Sequence, residues 1–123
     1  MAESRKMVKR TFEAPDEVRP AGLGTAHVVG GLGEITMMRV TLQPGWRWSK
    51  DVKPIVKTES CQAPHLNYVL SGRIHVVMDD GAEEEFGPGD LAVIPPGHDA
   101  WVVGNESVVA LDVTGAGVWA KPH

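Results

Sequence analysis

Residues 66–97 read LNYVLSGRIHVVMDDGAEEEFGPGDLAVIPPG, a succession of short apolar runs separated by turn-forming residues. The separators are Ser-Gly, Asp-Gly, Gly-Pro-Gly-Asp and Pro-Pro-Gly. Asp-Gly tolerates the positive φ angles of a tight hairpin, and glycine and proline interrupt regular structure at the other positions. The pattern predicts consecutive strands over residues 66–70, 73–78, 82–86 and 91–94, as in an all-β domain.

The same pattern extends in both directions from this stretch. Residues 35–42 alternate, and the more apolar set, Thr36, Met38, Val40 and Leu42, is expected to face the core. Residues 49–58 show no clear periodicity and contain a proline, which predicts a loop. The further predicted strands are 27–29, 34–42, 46–48, 100–103 and 108–114.

Composition limits the classes of protein that fit. The 123 residues suit one domain, and 42% hydrophobic with 23% charged residues is typical of a globular chain. A net charge of −4 disfavours nucleic acid as a partner. We expect no membrane span, because no apolar run reaches the roughly 18–20 residues that one requires. With Cys61 as the one cysteine and no apparent secretory signal, we expect a cytoplasmic protein without an internal disulfide.

Two motifs resemble those of the cupin family. The resemblance covers about residues 42–114 and implies a small jelly-roll β-barrel with a pocket or metal at its centre, often in a homodimer. The first motif is carried by Pro44-Gly45, ESCQAPH at 59–65 and YVLSG at 68–72, and the second by GPGD at 87–90 and IPPGH at 94–98.

The resemblance also sets the expected organisation of the chain. We predict an all-β, single-domain fold with an extended N-terminal segment at 1–20, a cupin β-barrel at 21–115 and a C-terminal tail at 116–123. Tyr68 and Leu70 fall on the outward side of a predicted strand. Exposed apolar side chains of this kind favour pairing with a second copy of the chain.

The first cupin motif normally carries His-x-His and then Glu, with the Glu seven residues before the closing glycine. Counting back from Gly72 places His65 at the Glu position, Cys61 at the second His position and Glu59 at the first. Positions 59, 61, 65 and 67 share parity, so a regular strand would direct all of them inward. The resemblance therefore implies a metal site at the usual spacing with every residue type changed.

The second motif normally ends in Pro-x-Gly-x-x-His. Here the count from Pro95 reaches Ala100, while His98 lies two residues earlier. We therefore predict Glu59, Cys61, His65 and His98 as candidate ligands, a set that favours zinc or iron over manganese. The changed motif leaves open the alternative that the site binds no metal.

Three further residues are predicted to line a ligand pocket. Trp46 and Trp48 share one face of a predicted strand, where they serve either as a pocket wall or as core or dimer surface. Asn67 has the same parity as His65. Asp112 interrupts an apolar strand and would need a partner if it faced inward.

Three functions follow from these residues. The first is a divalent-metal-dependent enzyme acting on a small molecule, and the second is a non-catalytic small-molecule-binding module that has lost the usual metal site. The third is metal-free catalysis, with His65 as acid or base and Cys61 as nucleophile. The residues leave open whether the protein is catalytic, and they do not identify a substrate.

Overall fold

The computed structural model describes residues 6–113, which form an all-β fold with two short helices. The prediction of an all-β chain is confirmed. The elements are β1 (Glu17–Ala21), β2 (Gly24–Leu32), β3 (Ile35–Leu42), α1 (Trp48–Asp51), α2 (Lys53–Val56), β4 (His65–Ser71), β5 (Arg73–Met78), β6 (Glu83–Phe86), β7 (Leu91–Ile94), β8 (His98–Val103) and β9 (Val108–Asp112).

The strands pair antiparallel in two sheets. The six-stranded sheet has the order β1-β2-β3-β9-β4-β7, and the three-stranded sheet has the order β6-β5-β8. Gly72 lies where the chain passes from one sheet to the other, with φ at 77°. A side chain there would be strained by this φ and would overlap the Ser107 carbonyl oxygen, so the position requires glycine.

One apolar core fills the space between the sheets. Met38, Val40 and Leu42 of β3 are buried, in agreement with the predicted alternation, whereas Thr36 near the start of that strand is exposed. Side chains of the three-stranded sheet complete the same core, among them Val76 and Val102. The two sheets therefore face each other, and any inward polar group lies between them.

The segment after β3 differs from its prediction. Residues 46–48 do not form a strand and residues 49–58 are not an irregular loop, because α1 and α2 occupy 48–51 and 53–56. The Asp51 carboxylate accepts a hydrogen bond from the Arg47 backbone N–H at 2.9 Å, and Trp48 and Val52 are buried. Burial, together with the Asp51 hydrogen bond in α1, thus stabilises turns that are too short to show helical periodicity.

The predicted N-terminal segment contributes a strand to the fold. β1 lies at the end of the predicted N-terminal segment and pairs with β2, so that part of the segment belongs to the six-stranded sheet. The predicted tail at 116–123 lies outside the described residues. Among residues 6–113, no helix has both the length and the apolar character that a membrane crossing requires.

The outer surface of the six-stranded sheet is apolar over β4 and β7. Leu66 pairs with Val93 and Tyr68 with Leu91 across these strands. The four side chains are 41%, 77%, 41% and 74% exposed, respectively. Tyr68 and Leu70 point outward, as the alternation predicted.

Candidate metal centre

Three buried side chains converge between the sheets. One ligand atom from each of Cys61, His65 and His98 lies within 4.8 Å of the other two. The Cys61 Sγ is 3.8 Å from the His65 Nε2, and the two imidazole rings are 5.1 Å apart in an edge-on arrangement. The residues are 4%, 7% and 4% exposed, so this is an interior cluster and not a group of solvated polar side chains.

The backbone brings these residues together from separate segments. An isolated antiparallel bridge pairs Cys61 with His98, and the Cys61 N–H donates to the His98 carbonyl at 2.7 Å. The His98 N–H donates back to the Cys61 carbonyl at 3.3 Å and closes the bridge, and the Gly97 N–H donates to the same carbonyl at 2.7 Å. His65 starts β4 and pairs with Ile94 of β7. Backbone pairing, as well as side-chain packing, therefore positions the three residues of the cluster.

Each histidine is oriented through its Nδ1 atom. The His65 Nδ1 is hydrogen-bonded to the Asp112 carboxylate, and the His98 Nδ1 to the Pro95 carbonyl at 2.9 Å. Because a carbonyl oxygen only accepts, His98 carries its proton on Nδ1 when the ring is neutral. This arrangement leaves the Nε2 atom of each ring for the cluster. Metal-ligating histidines are commonly held through the second nitrogen in this way.

Asp112 lies behind His65 and belongs to the same buried network. It is 1% exposed, and its burial in β9 confirms that this carboxylate needs a partner. With its amide oriented to satisfy both neighbours, Asn67 donates from the side-chain nitrogen to the Asp112 Oδ2 at 3.2 Å and to the Leu111 carbonyl at 3.3 Å. The carboxylate thus connects Asn67 with His65.

The cluster shifts the pKa values of two of its members in opposite directions. Burial opposes ionisation of the Cys61 thiol, but hydrogen bonds and charge from His65 and His98 outweigh it and lower the pKa to about 6. Burial likewise disfavours the charged form of His65, but Asp112 and Cys61 outweigh it and raise the pKa to about 9. In the metal-free protein, these two shifts favour the thiolate form of Cys61 and the imidazolium form of His65.

The structure separates Glu59 from the other predicted ligands. The Glu59 side chain is 98% exposed, and its Oε1 lies 3.5 Å from the Lys53 Nζ. The prediction that Glu59 points inward is wrong, because the parity argument assumes a regular strand and β4 begins only at His65. His98 joins the cluster although it lies two residues from the family's usual position. The usual position holds Ala100, which is buried.

A small cavity of about 50 Å³ adjoins the cluster. The predicted pocket residues Trp46, Trp48 and Asn67 all line it, together with His65 and His98. Their role in binding a ligand stays a prediction. Most of the other lining side chains are apolar: Val40, Leu42, Val69, Ile74, Val76, Phe86, Ala92, Ile94, Ala100, Val108 and Ala110.

The resemblance to cupins implied an all-β fold, and the chain forms two facing antiparallel sheets. The family model of the EutQ-like cupin domain matches residues 45–116, more than half of the chain. The chain therefore belongs to the EutQ-like cupin family.

Solved structures agree with this assignment. A structural-genomics protein of unknown function from Rhizobium leguminosarum bv. viciae 3841 is 28% identical with a TM-score of 0.64, over 96% of this chain and 99% of that one. A cupin-2 domain from Rhodospirillum rubrum is 21% identical with a TM-score of 0.57, and the match covers 89% of this chain and 68% of that chain. A protein described as ethanolamine utilization protein Q from Salmonella typhimurium LT2 is 17% identical with a TM-score of 0.52, and the match covers 75% of this chain and 68% of that chain. The last two similarities concern the fold alone. A search of curated proteins finds no match.

Proposed function

We propose that this protein is a metal-dependent cupin enzyme that binds a divalent ion, zinc or iron, through Cys61, His65 and His98 inside a jelly-roll barrel. The observation that carries the proposal is the convergence of three buried ligand atoms within 4.8 Å, with both histidines held through Nδ1. A thiolate and two imidazoles form a donor set that suits zinc or iron better than manganese.

The spacing within the cluster fits such an ion. Zinc–sulfur and zinc–nitrogen bonds of about 2.3 and 2.0–2.1 Å at a tetrahedral angle place the two ligand atoms about 3.6 Å apart. The Cys61 Sγ and the His65 Nε2 are 3.8 Å apart. The preference of Cys61 for the thiolate form also suits ligation, because the thiolate is the form of cysteine that binds metals.

Three protein ligands are typical of a catalytic rather than a structural zinc site, because a fourth position remains for water or substrate. When bound, the ion would act as a Lewis acid or lower the pKa of a bound water. Asp112 fixes the tautomer and direction of the His65 ring, and the Pro95 carbonyl does the same for His98. The apolar walls of the cavity limit the access of bulk water. These roles support chemistry on a small molecule.

The test is metal analysis of protein that is purified without a metal-affinity tag. We expect one zinc or iron per chain in the wild type, and substoichiometric metal in Cys61→Ser, His65→Ala and His98→Ala variants. A His75→Ala variant is the matched control, because His75 lies outside the cluster and contacts Glu83 and Trp101. In a cobalt-substituted sample, a thiolate-to-cobalt absorption band should depend on Cys61. Metal content that is unaffected by all three cluster variants would contradict the proposal.

The geometry also favours a second candidate function, which is metal-free nucleophilic catalysis. His65 lies between the Cys61 thiol and the Asp112 carboxylate, the order of a nucleophile, a base and an orienting group. The sequence alone assigns no orienting residue. In this candidate function Asp112 takes that role, because its carboxylate is hydrogen-bonded to the His65 Nδ1. Activity of metal-free protein that is lost on alkylation of Cys61 would favour this candidate over the metal enzyme.

A further inference from the structure

Trp48 carries a buried hydrogen-bond donor that no other group satisfies. Among the buried side-chain nitrogen and oxygen atoms of residues 6–113, the Trp48 Nε1 alone has no partner. The residue is 2% exposed. Trp46 is equally buried, but its Nε1 donates to the Ala21 carbonyl at 3.2 Å. A buried donor without an acceptor costs free energy, so an unsatisfied group of this kind needs an explanation.

The position of Trp48 is fixed by its neighbours in the chain. It is the first residue of α1, and the next residue, Ser49, donates its backbone N–H to the Asp99 Oδ1 at 3.1 Å. The preceding residue, Arg47, donates its backbone N–H to Asp51. Both flanking residues are therefore held by carboxylates, and the indole is kept at the wall of the cavity that His65 and His98 also line.

The other polar side chains of the cavity wall already have partners. His65 and Asn67 contact Asp112, and His98 contacts the Pro95 carbonyl. Among these polar side chains, the Trp48 Nε1 is the donor without a partner, and most of the rest of the wall is apolar. The cavity is small, with a volume of about 50 Å³. The occupant is therefore small and mostly apolar.

The charge of the proposed metal centre further limits the class of ligand, and this step rests on the proposed function. A divalent ion with the Cys61 thiolate and the Asp112 carboxylate has no net charge. An anion would place an uncompensated negative charge in a cavity with apolar walls, and the free energy needed to desolvate that charge is high. We infer that the cavity takes a small uncharged molecule with one hydrogen-bond acceptor, such as a carbonyl oxygen on an apolar body, and that the Trp48 Nε1 donates to that acceptor.

Acetone and acetate test this inference, because they have the same number of non-hydrogen atoms and differ in charge. The readout is the indole N–H signal of Trp48 in nitrogen-15 spectra of the zinc-loaded protein, identified by its loss in Trp48→Phe. We expect acetone to shift this signal saturably and to bind more tightly than acetate. Trp48→Phe should weaken acetone binding about fivefold, as for the loss of one hydrogen bond. Trp101→Phe is the control, because Trp101 stacks on His75 outside the cavity.

Three results would overturn the inference: an indole signal that acetone does not move, equal acetone affinity in Trp48→Phe, or acetate binding as tight as acetone binding. If Trp48→Phe fails to fold, the indole signal of Trp48 is identified by sequential resonance assignment of the wild-type protein, and its response to acetone still decides the test. Zinc content is measured on the same samples. Failure of the metal centre therefore appears as loss of zinc, while failure of ligand recognition appears as an unresponsive indole in protein that retains zinc.

Discussion

Replacing Asp112 by asparagine would test how far the buried carboxylate supports the candidate metal centre. Asp112 is 1% exposed, accepts from the His65 Nδ1 and is also contacted by the Asn67 amide. Asparagine keeps the shape but removes the charge. It also offers a donor that favours the wrong His65 tautomer, with the proton on Nε2.

The expected effect is a 10- to 100-fold loss of zinc affinity, the usual result of removing the group that orients a metal-bound histidine. This corresponds to about 1.4–2.7 kcal/mol of binding free energy. Competition with a chromophoric chelator measures the affinity. Thermal unfolding of the metal-free variant shows whether the fold is retained.

Glu84→Gln is the matched control, because it removes a carboxylate from an exposed position on β6. Its zinc affinity should equal that of the wild type. If Asp112→Asn folds and binds zinc within twofold of the wild type, Asp112 does not position His65, and the role assigned to this pair is wrong.

Three further measurements follow from the same structure. In metal-free protein, thiolate absorbance should appear as pH rises through about 6, and His65→Gln should move this midpoint upward. Since the folded thiol has the lower pKa, its contribution to stability should be lost as pH falls through about 6, and a midpoint near the usual thiol value would contradict this. We expect a homodimer through the apolar surface of β4 and β7, so Leu91→Lys with Val93→Lys should give a monomer by light scattering; a monomeric wild type would refute this interface. Gly72→Ala should lower the free energy of unfolding in urea by more than about 1 kcal/mol, and an unchanged denaturation midpoint would show that the backbone adapts at this turn.

Much of the fold could be predicted because local chemistry determines it. The strand predicted over 73–78 matches β5, and the alternation in β3 identifies Met38, Val40 and Leu42 as buried. Turn residues between apolar runs mark the strand ends. α1 and α2 could not be predicted, because each spans a single turn and depends on tertiary burial of Trp48 and Val56.

The candidate site could be predicted only in part, because motif spacing relates neighbours in the chain and not residues that meet through strand pairing. Spacing within the motif identified Cys61 and His65, which are close neighbours in the chain. It misplaced Glu59, because parity holds only inside a regular strand. It could not connect His65 with Asp112, which lies 47 residues away and meets it through pairing of β4 with β9. An acidic residue in an apolar strand was the available signal, and it identified the need for a partner but not the partner itself.

Anomalous diffraction at the zinc edge, from crystals of tag-free protein loaded with zinc, tests the central claim most directly. We expect a single strong peak between the Cys61 Sγ and the Nε2 atoms of His65 and His98. A cluster without a peak, or zinc bound instead at the partly buried His75 and the exposed Glu83, would contradict the assignment of this site as a metal centre.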